Sequence, residues 1–164
     1  MKKAFLIFIC FSMLGGVCFI NLSCAQRAGV DVGDKAPDFT LPDVSSGQVA
    51  LQDVVKTNEA TLLVFWATWC PYCRQEVPEL NKINAEYQGK GLKVLAVDIG
   101  ETQQKVASFI GQAGIQYTVL LDSDNSVAGQ YGVRGIPANV LVDKDGIIRY
   151  KGTSPPPAGL LPKK

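Results

Sequence analysis

Histidine is absent from all 164 residues. That absence removes Ser-His-Asp and Cys-His catalysis, histidine general bases and histidine metal ligands together. A basic excess is missing too. Sixteen Lys and Arg face fifteen Asp and Glu, for a net charge of +1. No polybasic surface exists to neutralise phosphates, so nucleic acid is not an expected partner. Internal repeats are absent, and no low-complexity run occurs before the last dozen residues. Hydrophobic residues make up 47% of the chain, which excludes disorder throughout and allows one domain with a real core. Only five cysteines are present: Cys10, Cys18, Cys24, Cys70 and Cys73.

The N-terminus reads as an address. Met1-Lys2-Lys3 is a short positive start, and Ala4 to Ile20 is almost wholly apolar. A basic start followed by an apolar stretch is the pattern of a secretory signal. Three fates fit. Ser23-Cys24-Ala25 offers small residues for cleavage after Ala25. Asn21-Leu22-Ser23-Cys24 resembles a bacterial lipobox, which makes Cys24 a lipidation candidate, although Asn21 departs from that pattern. Residues 4–20 could also stay as an anchor, but spanning usually takes about 20 apolar residues. All three routes export the domain, to the periplasm or the outer face of the membrane. Removing Lys2 and Lys3 from the 16 basic side chains leaves 14 against 15 acidic ones. The only cysteines left are Cys70 and Cys73, in a compartment that permits disulfides. The expected organisation is an address over 1–25, a linker over 26–35, a domain over 36–152 and a Pro-rich tail over 153–164.

Phe39-Thr40-Leu41 and Val49-Ala50-Leu51 alternate around Ser45-Ser46-Gly47 and predict an N-terminal hairpin. Thr61 to Trp66 is a continuous apolar run of strand length, as in a strand buried on both faces. Cys73, Val77, Leu80, Ile83 and Tyr87 recur at spacings of three and four, which places them on one face of a helix ended by Gly89 and Gly91. Leu92 to Asp98 is a further strand. Val106, Phe109, Ile110 and Ala113 mark a second amphipathic helix ended by Gly114. Tyr117 to Leu121 reads as a strand and Ser126 to Tyr131 as a short helix. A closing hairpin turns at Asp145-Gly146. The order β-α-β-α-β-(α)-β-β implies an α/β fold. Its central mixed sheet is flanked by helices, with the N-terminal hairpin as an extension.

The cysteine pair sits where a strand becomes a helix. The first N–H groups of a helix have no partner within it, and with the macrodipole they favour an anion. A Cys70 thiolate there would have a lowered pKa. Pro71 suits the first helical position, because its missing N–H would go unpaired anyway. Cys73 lies on the apolar stripe and should be shielded. An exposed attacking thiol plus a shielded resolving thiol equips a protein for thiol–disulfide exchange. Two plainer readings compete. A purely structural disulfide would close a very short loop and stabilise little. Monovalent copper could sit on two thiolates, but no third cysteine or histidine remains to build a fuller metal site.

Phe65-Trp66-Ala67-Thr68-Trp69-Cys70-Pro71-Tyr72-Cys73-Arg74-Gln75-Glu76-Val77-Pro78 resembles the active-site segment of the thioredoxin superfamily, closest to exported thiol-disulfide oxidoreductases of the TlpA and ResA type. Tyr131 to Pro137 resembles the family's cis-proline loop, and Val140 to Gly146 the hairpin after it. The similarity runs from about Gly33 to Gly152. It implies that Cys70 attacks and Cys73 resolves, forming a disulfide between them. It also implies that Pro137 is the cis-proline, with Ile136 before it offering backbone to an extended substrate. Trp69, Pro71 and Tyr72 would border that substrate, Trp69 packing beside Cys70. Pro78 inside the helix should kink it. Val64 stands where typical cytoplasmic thioredoxins carry an aspartate. Glu76, one turn from Cys73, resembles the glutamate of ResA-like proteins and would move the proton of the second thiol.

The implied activity is a disulfide reductase using client protein thiols and disulfides, fed by an upstream membrane electron donor, in cytochrome c maturation. A monomer without cofactor or metal is expected. Three alternatives stand beside it: a disulfide oxidase, a thiol peroxidase and a Cu(I)-handling module. The Pro-Tyr dipeptide between the cysteines is shared with glutaredoxins and hints at a less reducing protein. After Gly152, four prolines in twelve residues preclude the family's closing helix, so that helix should be missing or truncated. An exposed apolar sheet face, with lowered stability or a partner surface, is expected to follow.

Overall fold

The computed structural model describes residues 30–163. The expectations placed on residues 1–25, including Cys10, Cys18 and Cys24, lie outside the described residues. The elements follow in the order β1 (Thr40–Pro42), β2 (Gln48–Ala50), α1 (Leu51–Thr57), β3 (Ala60–Trp66), α2 (Pro71–Tyr87), β4 (Leu92–Ile99), α3 (Gln103–Ala113), β5 (Thr118–Asp122), α4 (Ser126–Gln130), β6 (Ala138–Asp143) and β7 (Ile148–Gly152).

Five strands form one sheet in the order β5-β4-β3-β6-β7. β3 runs parallel to β4, and β4 parallel to β5, each joined by a helical crossover. β6 and β7 add antiparallel strands on the other side of β3. β3 is central and every one of its seven residues is buried, as its unbroken apolar run requires. Alternation along it divides the core. Leu62, Val64 and Trp66 face α2 and α3, whereas Leu63 and Phe65 face α1 and α4. At about 25 cal/mol per Å² of apolar area, each such side chain contributes roughly 1.5–3 kcal/mol. The expected α/β architecture, with its mixed sheet and N-terminal hairpin, is the observed one.

Three differences have physical reasons. Leu51, expected at a strand end, begins α1. Seven residues span too few turns for a 3.6 period to show, and Leu51 and Val55 alone carry the buried face. Residues 30–35, inside the expected linker, run along β7: the Gly33 N–H bonds the Ile148 carbonyl at 2.8 Å, and Lys35 bridges Ile147.

The tail is the third. Prolines do keep it from becoming an α-helix, and only a 3₁₀ turn at Ala158–Leu160 forms. Yet it does not leave the sheet face bare. Pro156 is buried, and Leu161, 8% exposed, joins the core cluster beneath α2. Among the described residues the exposed large apolar side chains are Val32, Trp69, Tyr72 and Leu160, and only Leu160 belongs to the tail. An extended proline segment covers a groove by inserting single side chains, and no helical periodicity announces that.

Candidate active site

β3 ends at Trp66, and Ala67 to Trp69 carry the chain into α2. Cys70 is the residue capping that helix, and its sulfur accepts the Cys73 N–H at 3.1 Å. Pro71 takes the first helical position. Cys70 and Cys73 form a disulfide, with their Cα atoms 5.3 Å apart. The sulfur is therefore held where unpaired helix N–H groups converge, as the junction required. One expectation fails: Cys70 is not the exposed partner. It is 2% exposed and Cys73 is 3% exposed. The Ile136–Pro137 segment lies over it, with the Ile136 carbonyl oxygen 3.7 Å from the Cys70 sulfur.

The Ile136–Pro137 peptide bond is cis. Together with Tyr72, Gln75, Glu76 and Glu79 it borders an open groove of about 630 Å³ beside the disulfide. Tyr72 stands 68% exposed at its edge. The far wall is Thr153, Ser154 and Pro155, from the start of the tail. Sequence reasoning missed both Glu79 and this wall. Trp69 does not join the groove. It is 60% exposed, so it is no core aromatic, and it borders a separate cleft with Ile99, Asn125 and Val133.

Glu76 is partly buried on α2, where its Oε2 accepts the Asn139 side-chain N–H at 3.3 Å. Burial raises its pKa above the ordinary value. The Asn139 bond pulls it down and the Glu79 charge pushes it up, and the net shift is upward. Asn139 lies on β6 opposite Val64, so an amide stands across from the apolar position that typical thioredoxins give to aspartate. Burial, then the charge of Glu76, raises the Tyr117 phenol.

A second acidic group, also missed, supports the loop from the other side. Glu101 follows β4 and is 7% exposed. Its Oε2 accepts the Thr68 N–H at 2.5 Å and its Oε1 accepts the Thr68 hydroxyl at 2.8 Å. Lys105 pairs with the same carboxylate. The Arg74 Nε–H donates to the Thr68 carbonyl at 2.6 Å, and its guanidinium lies 5.2 Å from the Phe109 ring centre. Burial pushes Glu101 up, but the Lys105, Thr68 and Asp98 contacts outweigh it and hold it below its usual value. The loop reaching Cys70 is thus tied at one residue, Thr68, from both sides. A lone Glu after Gly100 gives no sequence signal of this, because its partner lies 33 residues away.

No group of three Cys, Asp or Glu side chains converges to cage a metal among the described residues. The sequence profile of the AhpC/TSA family matches residues 32–151. A thiol-disulfide oxidoreductase ResA from Bacillus thuringiensis (strain Al Hakam) is 34% identical over 122 residues, 74% of this chain and 69% of that protein. The ResA of Geobacillus thermodenitrificans is 31% identical over 147 residues, 90% of this chain and 83% of that one. Among solved structures, a Chlorobium tepidum protein assigned as thiol:disulfide interchange protein DsbE superposes with a TM-score of 0.71. It is 37% identical and covers 80% of this chain and 91% of its own.

Proposed function

This chain belongs to the AhpC/TSA family and, within it, to the ResA-type thiol-disulfide oxidoreductases, and we propose that its Cys70–Cys73 pair reduces disulfides of client proteins outside the cytoplasm. The placement of the Cys70 sulfur at the head of α2, within reach of the Cys73 N–H, carries the reading. Reduced Cys70 attacks as thiolate, which the helix N-terminus favours over the thiol. Its sulfur bonds one client sulfur and expels the other as thiolate. The Cys73 thiolate then attacks the Cys70 sulfur, closes the intramolecular disulfide and expels the client sulfur that Cys70 had bonded. The client gains two electrons and two protons, and an upstream donor must return two electrons to the pair.

Three features serve these steps. The groove beside Pro137 takes an extended client segment, with the Ile136 backbone available to it. Glu76, one turn after Cys73, accepts the Cys73 proton; burial raises its pKa and makes it a stronger base than an ordinary carboxylate. Tyr72 supplies an exposed aromatic surface at the groove's rim. Peroxide turnover is a weaker fit, because the Thr68 hydroxyl is already committed to Glu101.

Export rests on the basic-then-apolar pattern of residues 1–25, with Cys24 as the lipidation candidate. Among the described residues no helix is long and apolar enough to cross a membrane. The ResA kinship supports a role in cytochrome c maturation with a membrane electron donor, and a monomer is the working form we propose. The test is trapping. Cys73→Ala expressed in the exporting host should accumulate mixed disulfides on Cys70, identified by mass spectrometry, that Cys70→Ala does not form. An absence of trapped species would overturn the mechanism.

A further inference from the structure

Asp98 has no role in that exchange, yet it is the least conventionally placed acid among the described residues. It sits near the end of β4, in register with Trp66 of β3 and Leu121 of β5. Alternation from Val94 and Ala96 points it to the sheet face that carries both cysteines. It is 0% exposed, and no side-chain donor among the described residues reaches either carboxyl oxygen; the one donor beside it is the Glu101 backbone N–H. The group beside it is the Glu101 carboxyl. Two carboxyls can bond only by holding a proton between them, and leaving a buried carboxylate with no partner is costly.

We propose that Glu101 is a positioning residue for the attacking sulfur, and that Asp98 holds the proton that lets it act as one. The two buried carboxyls share a single proton, with Asp98 as donor and Glu101 as the carboxylate that fixes the Thr68–Cys70 loop. The reading rests on the exchange chemistry above only in naming which sulfur is positioned. Glu101 is suited to carry the negative charge, since it alone of the two has Lys105 and the Thr68 donors. Asp98 is suited to carry the proton, since the Thr68 donors and the direct Lys105 contact all go to Glu101 and Lys105 acts on Asp98 only from a distance.

The charges around the pair come from every packed element. α3 supplies Lys105. α2 supplies Arg74, already turned to the Thr68 carbonyl and Phe109, and the two cysteines. β3 supplies no ionisable group on this face, only Trp66. On β5, Asp122 accepts the N–H groups of Val127 and Ala128 instead. As pH rises, Asp98 releases its proton to solvent, and no electron moves. A second negative charge then lies against Glu101 and weakens its hold on Thr68. Burial first, then the Glu101 hydrogen bond and charge, push Asp98 up to about 8, so this release falls near physiological pH.

The experiment uses the oxidised full chain, whose disulfide cysteines do not titrate. Trp66 and Trp69, the only two tryptophans, flank Thr68 and report on the loop. Their fluorescence should change with one midpoint near pH 8 in the wild type. It should be flat over that range in Asp98→Asn, which keeps the shape and the donor. In Glu101→Gln the midpoint should move downward, because the neighbouring charge is gone. A residue with a merely structural role would lower stability without moving a midpoint. In the reduced proteins, iodoacetamide should label Cys70 more slowly in Glu101→Gln by about tenfold or more, within the loss of about 100-fold that a misplacement of about 1 Å can cause. Thr68→Val, which deletes only the hydroxyl bond, should slow labelling in the same direction and carries this arm if Glu101→Gln does not fold. A transition that persists in Asp98→Asn, or labelling in Glu101→Gln and Thr68→Val at the wild-type rate, overturns the proposal. The fluorescence arm involves no exchange, so it succeeds or fails independently of the reductase reading.

Discussion

Leu161→Ala puts a number on what the Pro-rich tail contributes. Leu161 is 8% exposed and shares a cluster with Ile83 and Tyr87 of α2. Truncation removes the apolar contact of most of a leucine side chain, and buried Leu→Ala changes cost about 2–5 kcal/mol. The low end applies. Leu161 lies at the rim of the cluster, and a tail without regular structure can relax into the space left behind. The expected loss is about 2 kcal/mol. For a domain of this size that lowers the thermal midpoint by roughly 6–10 °C. Urea unfolding followed by circular dichroism should show a lower midpoint with an unchanged slope, since the fold and its exposed area on unfolding are retained. A hydrophobic dye should bind the variant more than the wild type. A loss below about 0.5 kcal/mol, the usual size of a surface change, would refute the claim that the tail replaces a closing helix.

Three further predictions concern the site. Asp98→Asn should gain stability over the wild type as pH rises. The wild-type carboxyl has a folded pKa near 8 against an ordinary 3.8, so its stabilising effect is complete below pH 4 and lost toward pH 8. The gain should be near zero at pH 4 and about 5 kcal/mol at pH 8 by urea titration; equal wild-type and variant slopes against pH would contradict it. Glu76→Gln should slow disulfide reduction and remove from the pH profile of kcat/KM the ionisation of a carboxyl lying above the usual carboxylate range; an unchanged profile would dismiss Glu76 as a base. Tyr72→Ala should raise KM for a protein disulfide about 3- to 10-fold with little change in kcat, because Tyr72 offers binding surface and no reacting group.

What could be read in advance follows the range of the interactions involved. β3 and α2 were legible because an apolar run and a 3/4 stripe are local statements about burial. The same holds for Gly114, whose positive φ of 65° ends α3. Cys70, Cys73 and Pro137 were legible through motifs that keep fixed spacing. The burial of Cys70 was not, because it depends on a segment 66 residues away folding over the sulfur. Glu101 and Asn139 escaped for the same reason: each meets its partner only when strands or loops distant in sequence come together. The tail was misjudged in a different way. Prolines exclude an α-helix, but they do not prevent Pro156 and Leu161 from being buried singly.

The central claim is that α2 makes the Cys70 sulfur an anion at neutral pH. The direct measurement is the rate of iodoacetamide labelling of Cys70 in the fully reduced chain from pH 4 to 9, with peptide mapping to separate it from Cys73. The account predicts a midpoint below the value of about 8.5 for a free cysteine, and labelling at pH 6.5 faster than that of a free thiol. A midpoint at or above the free value, with labelling no faster than free cysteine at the same pH, would contradict it.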